Sequence, residues 1–274
     1  MNSDAMAPCK PFLKWPGGKR WLCPALLRII SGVEYHRYFE PFLGGGALFF
    51  ALRPARAILS DVNPELINVY QQVKRMPHRL IKELRAIPVA DDAYDAIRRD
   101  TTSGSLRNAV RFLFLNRTAF GGMYRLNQRG EFNVPFGGGQ RRPDVLWTSG
   151  LMLSTSRALR NAQLNCEDFE KALRMARKGD LAFCDPTYTV THNNNGFVRY
   201  NESNFRWCDQ ERLASLCLQL RRKGVTVIVT NAFHKEIRCL YRDAIVHEVD
   251  RPSTLCPSPE KRRQTKEYVF LLKP

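Results

Sequence analysis

Long hydrophobic runs are missing from this chain of 274 residues. The longest, Ala47 to Leu52, falls far short of the roughly 20 apolar residues that span a bilayer. No secretory leader reads at the N-terminus, so a cytoplasmic chain without a membrane segment is expected. Paired cysteines are missing too. The thiols at Cys9, Cys23, Cys166, Cys184, Cys208, Cys217, Cys239 and Cys256 include no C-x-x-C pair. Zinc sites bring two ligands close together in sequence, so no metal is expected. The cysteines read as free thiols in a reducing compartment. Acidic side chains are scarce: 26 Asp and Glu stand against 43 Lys and Arg, a net charge of +17. A chain that basic is drawn to polyanions, nucleic acid above all. Near the C-terminus Arg251, Lys261, Arg262, Arg263, Lys266 and Lys273 face only Glu260 and Glu267.

What remains is ordinary globular material, 44% apolar and 25% charged, enough for one large domain or two modest ones. Tyr38-Phe39-Glu40 reads as a short strand and Pro41 to Gly46 as a glycine-rich turn, with a helix opening at Ala47. Ala57 to Asp61 is a second buried strand. Pro64 suits a first helical turn, and Leu66, Ile67, Val69, Tyr70 and Val73 give that helix an apolar face. From Pro77 to about Asn116 the pattern is helical. Met123 to Leu126 and Glu131 to Val134 flank Asn127 to Gly130 as a β-hairpin would. Leu181 to Asp185 is a strand, Gln210 to Lys223 a helix and Val225 to Thr230 another strand. Ala244 to Val249 and Glu267 to Leu272 form a final antiparallel pair. The alternation predicts a doubly wound, mostly parallel α/β sheet. A helical and hairpin insert interrupts it, giving segments 1–63, 64–146 and 147–274.

Two strand ends carry the chemistry. Glu40-Pro41-Phe42-Leu43-Gly44-Gly45-Gly46 follows one strand and opens a helix, and Asp61 closes the next strand. Strand, glycines, helix and acid in that order suit a nucleoside ligand. The alternative is a structural turn, with Asp61 capping the following helix. Asp185-Pro186-Thr187-Tyr188 leaves another strand and offers a carboxylate, a carbonyl and an aromatic face. Lys14-Trp15-Pro16-Gly17-Gly18-Lys19 lies in an N-terminal loop, where Trp15 reads equally well as a core side chain.

Together these stretches resemble the adenine-N6 DNA methyltransferases of the bacterial GATC-recognising group. The likeness also takes in Phe114-Leu115-Asn116-Arg117, Arg129 to Gly137, and the order of all the motifs from about residue 10 onward. It implies the class I S-adenosylmethionine-dependent methyltransferase fold, with segment 64–146 as the target-recognition domain. By the same resemblance the cofactor residues are Trp15, Lys19, Phe42, Gly44, Gly46, Asp61, Asp168, Phe169 and Asp185. Asp185, Pro186 and Tyr188 are catalytic. Lys14, Arg117, Phe120, Met123, Arg125 and Asn127 face DNA. A monomer is implied that flips adenine from duplex DNA at GATC or a related site. Methylation of RNA, or a DNA-binding module that has lost turnover, are the other readings. Two departures stand out: Thr187 occupies a position where the family tetrad has proline, and Gly121 and Gly138 replace larger polar side chains.

Overall fold

The computed structural model describes residues 10–122, 124–125, 127, 131–139, 142–190, 205–251 and 265–274. The strands are β1 (Tyr38–Glu40), β2 (Ala57–Asp61), β3 (Ala162–Cys166), β4 (Leu181–Cys184), β5 (Thr226–Ala232), β6 (Ile245–Arg251) and β7 (Thr265–Leu272). They form one sheet in the order β3-β2-β1-β4-β5-β7-β6. β1 is parallel to β2 and β4, β4 is parallel to β5, and β7 runs antiparallel to both β5 and β6. The doubly wound, mostly parallel sheet expected from the sequence is present, with its antiparallel final pair. The strand order reverses between β1 and β4. In open α/β sheets such a switch point opens a crevice beyond the carboxyl ends of the strands.

The chain divides into two compact units. The first comprises 1–19, 44–53 and 63–166. It holds α2 (Ala47–Leu52), α3 (Pro64–Arg75), α4 (Pro77–Arg85), α5 (Asp91–Arg99), α6 (Ser105–Thr118), α7 (Pro143–Leu146) and α8 (Ser149–Ala158). The cap of α3 is Asn63, whose side chain accepts from Leu66 N at 3.0 Å, and Pro64 sits in its first turn. Asp61 is therefore not the residue that caps this helix. Leu66, Ile67, Val69, Tyr70 and Val73 are buried, as their spacing predicts. α6 is the apolar centre of this unit: Phe112, Leu113, Phe114 and Leu115 are all buried, and α3, α4 and α5 pack on it.

The second unit comprises 20–43, 54–62 and 167–274, with α1 (Cys23–Ile29), α9 (Phe169–Arg174), α10 (Trp207–Arg222) and α11 (Lys235–Leu240). α10 lays Leu213, Ala214, Cys217 and Leu220 into a core built with Val227 and Val229 of β5 and Phe270 and Leu272 of β7. Cys184 and Cys217 are buried within it, and their mutual hydrogen bond, then burial, pushes the Cys184 thiol well above its ordinary value. Among the described residues no helix is long and apolar enough to cross a membrane.

Candidate active site

The strand ends at the switch point belong to the second unit. Glu40 closes β1, is buried, and accepts a hydrogen bond from the Tyr38 hydroxyl at 2.8 Å. Asp185 is the first residue beyond β4. Its Oδ1 accepts from Thr230 Oγ1 at 2.6 Å, and Thr230 lies one residue past the last β4–β5 pair. The two carboxylates make this end of the sheet negative. The Cys23 thiol registers it: burial and then Glu40 push it up to about 11, with Asp185 adding to the rise.

Tyr188 ends the tetrad. Its hydroxyl donates to Glu267 Oε2 at 2.6 Å, and Arg251 Nη1 donates to Glu267 Oε1 at 3.2 Å. Burial, then the Glu267 charge, holds the phenol well above its ordinary value, so it stays protonated and donating. Pro186 is buried between these anchors. Thr187, the residue in the proline position, has its carbonyl held by Gln210 Nε2 at 3.1 Å.

Phe42, Phe169 and Phe205 form an aromatic group on the same unit. Phe42 stacks on Phe169 with centroids 5.4 Å apart and meets Phe205 edge-on at 5.6 Å. The Asp168 carboxylate is occupied locally. It caps α9 by accepting from Glu170 N at 2.9 Å and receives both terminal nitrogens of Arg212, whose guanidinium lies 4.3 Å from the Phe169 centroid. Asp61 closes β2, and its carbonyl accepts from Glu167 N at 3.2 Å.

In the first unit, Trp15 is half-buried and lies against the glycine turn. A Cβ on Gly44 would come within 2.8 Å of the Trp15 Nε1, so the open side of this glycine is used by the indole. Gly46 has φ 64° and faces Tyr70, whose hydroxyl donates to the Gly44 carbonyl at 3.0 Å. Only glycine takes that backbone angle without strain. Lys19 is buried, and its Nζ donates to the Gly17 carbonyl at 3.0 Å. Buried Asn116 grips Lys14 twice, accepting from its N–H at 3.0 Å and donating to its carbonyl at 2.6 Å. Arg117 Nη1 donates to the Phe12 carbonyl at 3.4 Å. The Phe114–Arg117 stretch thus anchors the loop that carries Lys14, whose own side chain is exposed.

The expected hairpin is an antiparallel chain reversal. Asn127 N donates to the Glu131 carbonyl at 2.8 Å and Asn133 N to the Arg125 carbonyl at 3.2 Å. Toward its base Phe120 N reaches the Pro135 carbonyl at 2.9 Å, and Ala119 bridges Phe136. Regular strand is not formed by the described residues here, and Asn127 Oδ1 also accepts from Glu131 N at 2.9 Å. Phe120 and Arg125 are exposed, and Arg125 Nε donates to Asn133 Oδ1 at 2.9 Å. Met123, Leu126 and Gln128 to Gly130 lie outside the described residues, as do Arg262 and Arg263.

Sequence reasoning missed Thr230, Asn231, Gln210 and Glu267. Glu267 reads in the sequence as a counter-charge to the basic tail, yet it is fully buried on β7. Gln210 had a readable signal, since it stands in helical register with Leu213, Ala214 and Cys217 on the apolar stripe of α10.

Residues 15–255 match the family model for the D12 class of N6 adenine-specific DNA methyltransferases. The Type II methyltransferase M1.LlaDCHI of Lactococcus lactis subsp. cremoris is 34% identical, over 95% of this chain and 94% of that protein. A DNA adenine methylase of Haemophilus influenzae is 31% identical, over 96% and 93%. A DNA N-6-adenine-methyltransferase of Escherichia phage P1 is 35% identical over 86% of this chain, which spans 31% of the phage protein.

Proposed function

Since the chain belongs to the D12 class of N6 adenine-specific DNA methyltransferases, and so transfers a methyl group to N6 of adenine in DNA, we propose that Asp185, Pro186 and Tyr188 perform the transfer with S-adenosylmethionine as donor. When bound, that cofactor supplies an electrophilic methyl on a cationic sulfur. The residues fit such a group, because the fixed charges at the end of β1 and β4 are the carboxylates of Glu40 and Asp185. Phe42, Asp61, Asp168, Phe169, Trp15, Lys19, Gly44 and Gly46 are the further residues that the resemblance assigns to the cofactor.

An adenine amino group is a poor nucleophile, since its lone pair is delocalised into the ring. The Asp185 carboxylate and the Pro186 carbonyl accept hydrogen bonds from its two N–H groups and draw the nitrogen toward tetrahedral geometry. The lone pair is then localised for attack. The Tyr188 ring stacks on the base once it leaves the duplex. Positioning and charge carry the rate, and no metal enters this reading. In segment 64–146, Arg125, Phe120, Asn127 and Met123 meet the target with Lys14 and Arg117, at GATC or a related site. The protein acts as a monomer on duplex DNA in the cytoplasm.

The observation that carries the reading is Asp185 at the carboxyl end of β4, at the reversal of strand order and bonded by Thr230. Transfer of labelled methyl to an unmethylated duplex tests it. Asp185→Ala is expected to lower turnover by about 10³-fold or more, with duplex affinity retained. Turnover close to that of the parent would overturn the assignment.

A further inference from the structure

We infer that the Asp185–Tyr188 turn is held by a buried clamp of Thr230 and Asn231 from β5 and Gln210 from α10, which does for Thr187 what proline does in the related tetrad. The inference rests on the catalytic reading above. Thr230, Asn231 and Gln210 are each 0% exposed. Thr230 Oγ1 donates to the Asp185 carboxylate at 2.6 Å. Gln210 Nε2 donates to the Thr187 carbonyl at 3.1 Å, while its Oε1 accepts from Asn231 Nδ2 at 2.9 Å. Asn231 Oδ1 in turn accepts from Ala232 N at 2.8 Å.

The network orients itself. The Ala232 N–H needs an oxygen, so Asn231 turns its oxygen there and its amino group to Gln210. Gln210 must then present oxygen to Asn231 and its amino group to Thr187. Flipping either amide would set donor against donor. Burying two amides costs free energy unless they are bonded. A leucine at 210 would continue the stripe of Leu213, Ala214 and Cys217 and would serve packing alone. What the amides add is a fixed position for the turn. Proline would fix one backbone angle at 187. Here the fixed points are the side chain of Asp185 and the carbonyl of Thr187, and they bracket Pro186 on both sides. Gln210, Asn231 and Thr230 are positioning residues, acting on the reaction through Asp185 and Pro186.

The test measures kcat and KM for methyl transfer, with a thermal melt of each variant. Thr230→Val keeps the side-chain shape and loses the hydroxyl. It is expected to lower kcat by about tenfold or more, to leave both KM values within about twofold of the parent, and to be rescued by Thr230→Ser. Gln210→Met is expected to lower kcat likewise. Thr187→Pro should raise kcat by at least about fivefold more in the Gln210→Met background than in the parent, the coupling expected of one shared task. If Gln210→Met does not fold, the Thr230 pair decides. Val and Ser variants of equal kcat, or a Thr187→Pro effect equal on both backgrounds, overturn the clamp. Asp185→Ala run beside them separates the two failures: if it keeps turnover, the catalytic reading itself falls and the clamp with it.

Discussion

The tetrad at the end of β4 and the chain reversal between Thr118 and Gly137 are both irregular, yet they differ in the side chains they leave exposed. The tetrad is fixed by side chains drawn from distant elements, with Thr230, Gln210 and Glu267 all fully buried. The reversal is held by its own backbone, by Asn127 and by the Tyr94 hydroxyl, which donates to the Val134 carbonyl at 2.8 Å, and it leaves Phe120 and Arg125 exposed. A reacting group must sit within a fraction of an ångström, and only buried, fully bonded neighbours hold it there. A group that reads DNA must be free to leave water for a base edge or a phosphate. The same basic chain thus places fully buried polar side chains around the tetrad and leaves exposed side chains on the reversal.

The contrast can be broken from the buried side first. Glu267→Ala strands the Tyr188 hydroxyl and opens a cavity on β7, at an expected cost of about 3 kcal/mol of stability. Urea denaturation of the parent and variant measures it, and a loss no larger than that of a surface substitution would show that the anchor is not structural. On the exposed side, Arg125→Ala should leave stability unchanged and relax preference at one base pair by about 1–3 kcal/mol. Affinities for matched and single-substituted duplexes at several salt concentrations decide between base and phosphate. Uniform weakening with a changed salt slope would make Arg125 a phosphate contact. The smallest effect sharpens the comparison within the tetrad. Tyr188→Phe keeps the ring and loses one hydrogen bond, so it should cost about 1 kcal/mol of stability. Stacking on the flipped base should survive, and fluorescence of a base analogue at the target position reports whether it does.

The sequence made the parallel strands, the apolar face of α3 and the antiparallel β6–β7 pair legible, because each is written in local periodicity. Asp185 and Glu40 were legible as polar residues at the ends of apolar runs. The clamp was not. The register of Gln210 on the apolar stripe marks it as buried but does not give its partners, and a glutamate opening a strand reads as solvent-facing until the partner element is known. Only the fold shows that β7 runs between β5 and β6 and buries Glu267. Asn116-Arg117 stands in the sequence as part of a motif, while the bonds to the Lys14 backbone and the Phe12 carbonyl are invisible in spacing alone. The glycines at the turn are visible in the sequence, but not that an indole fills the open side of Gly44.

The anchor between Tyr188 and Glu267 spans 79 residues of chain. At ordinary rates of protein synthesis, about 5–20 residues per second, roughly 4–16 s separate the making of the two partners. During that interval a nascent chain carries the tetrad's aromatic ring without the carboxylate that holds it, and without the strand that completes the pairing of β5. The tetrad's ring is therefore anchored only after the whole of segment 64–146 has been made.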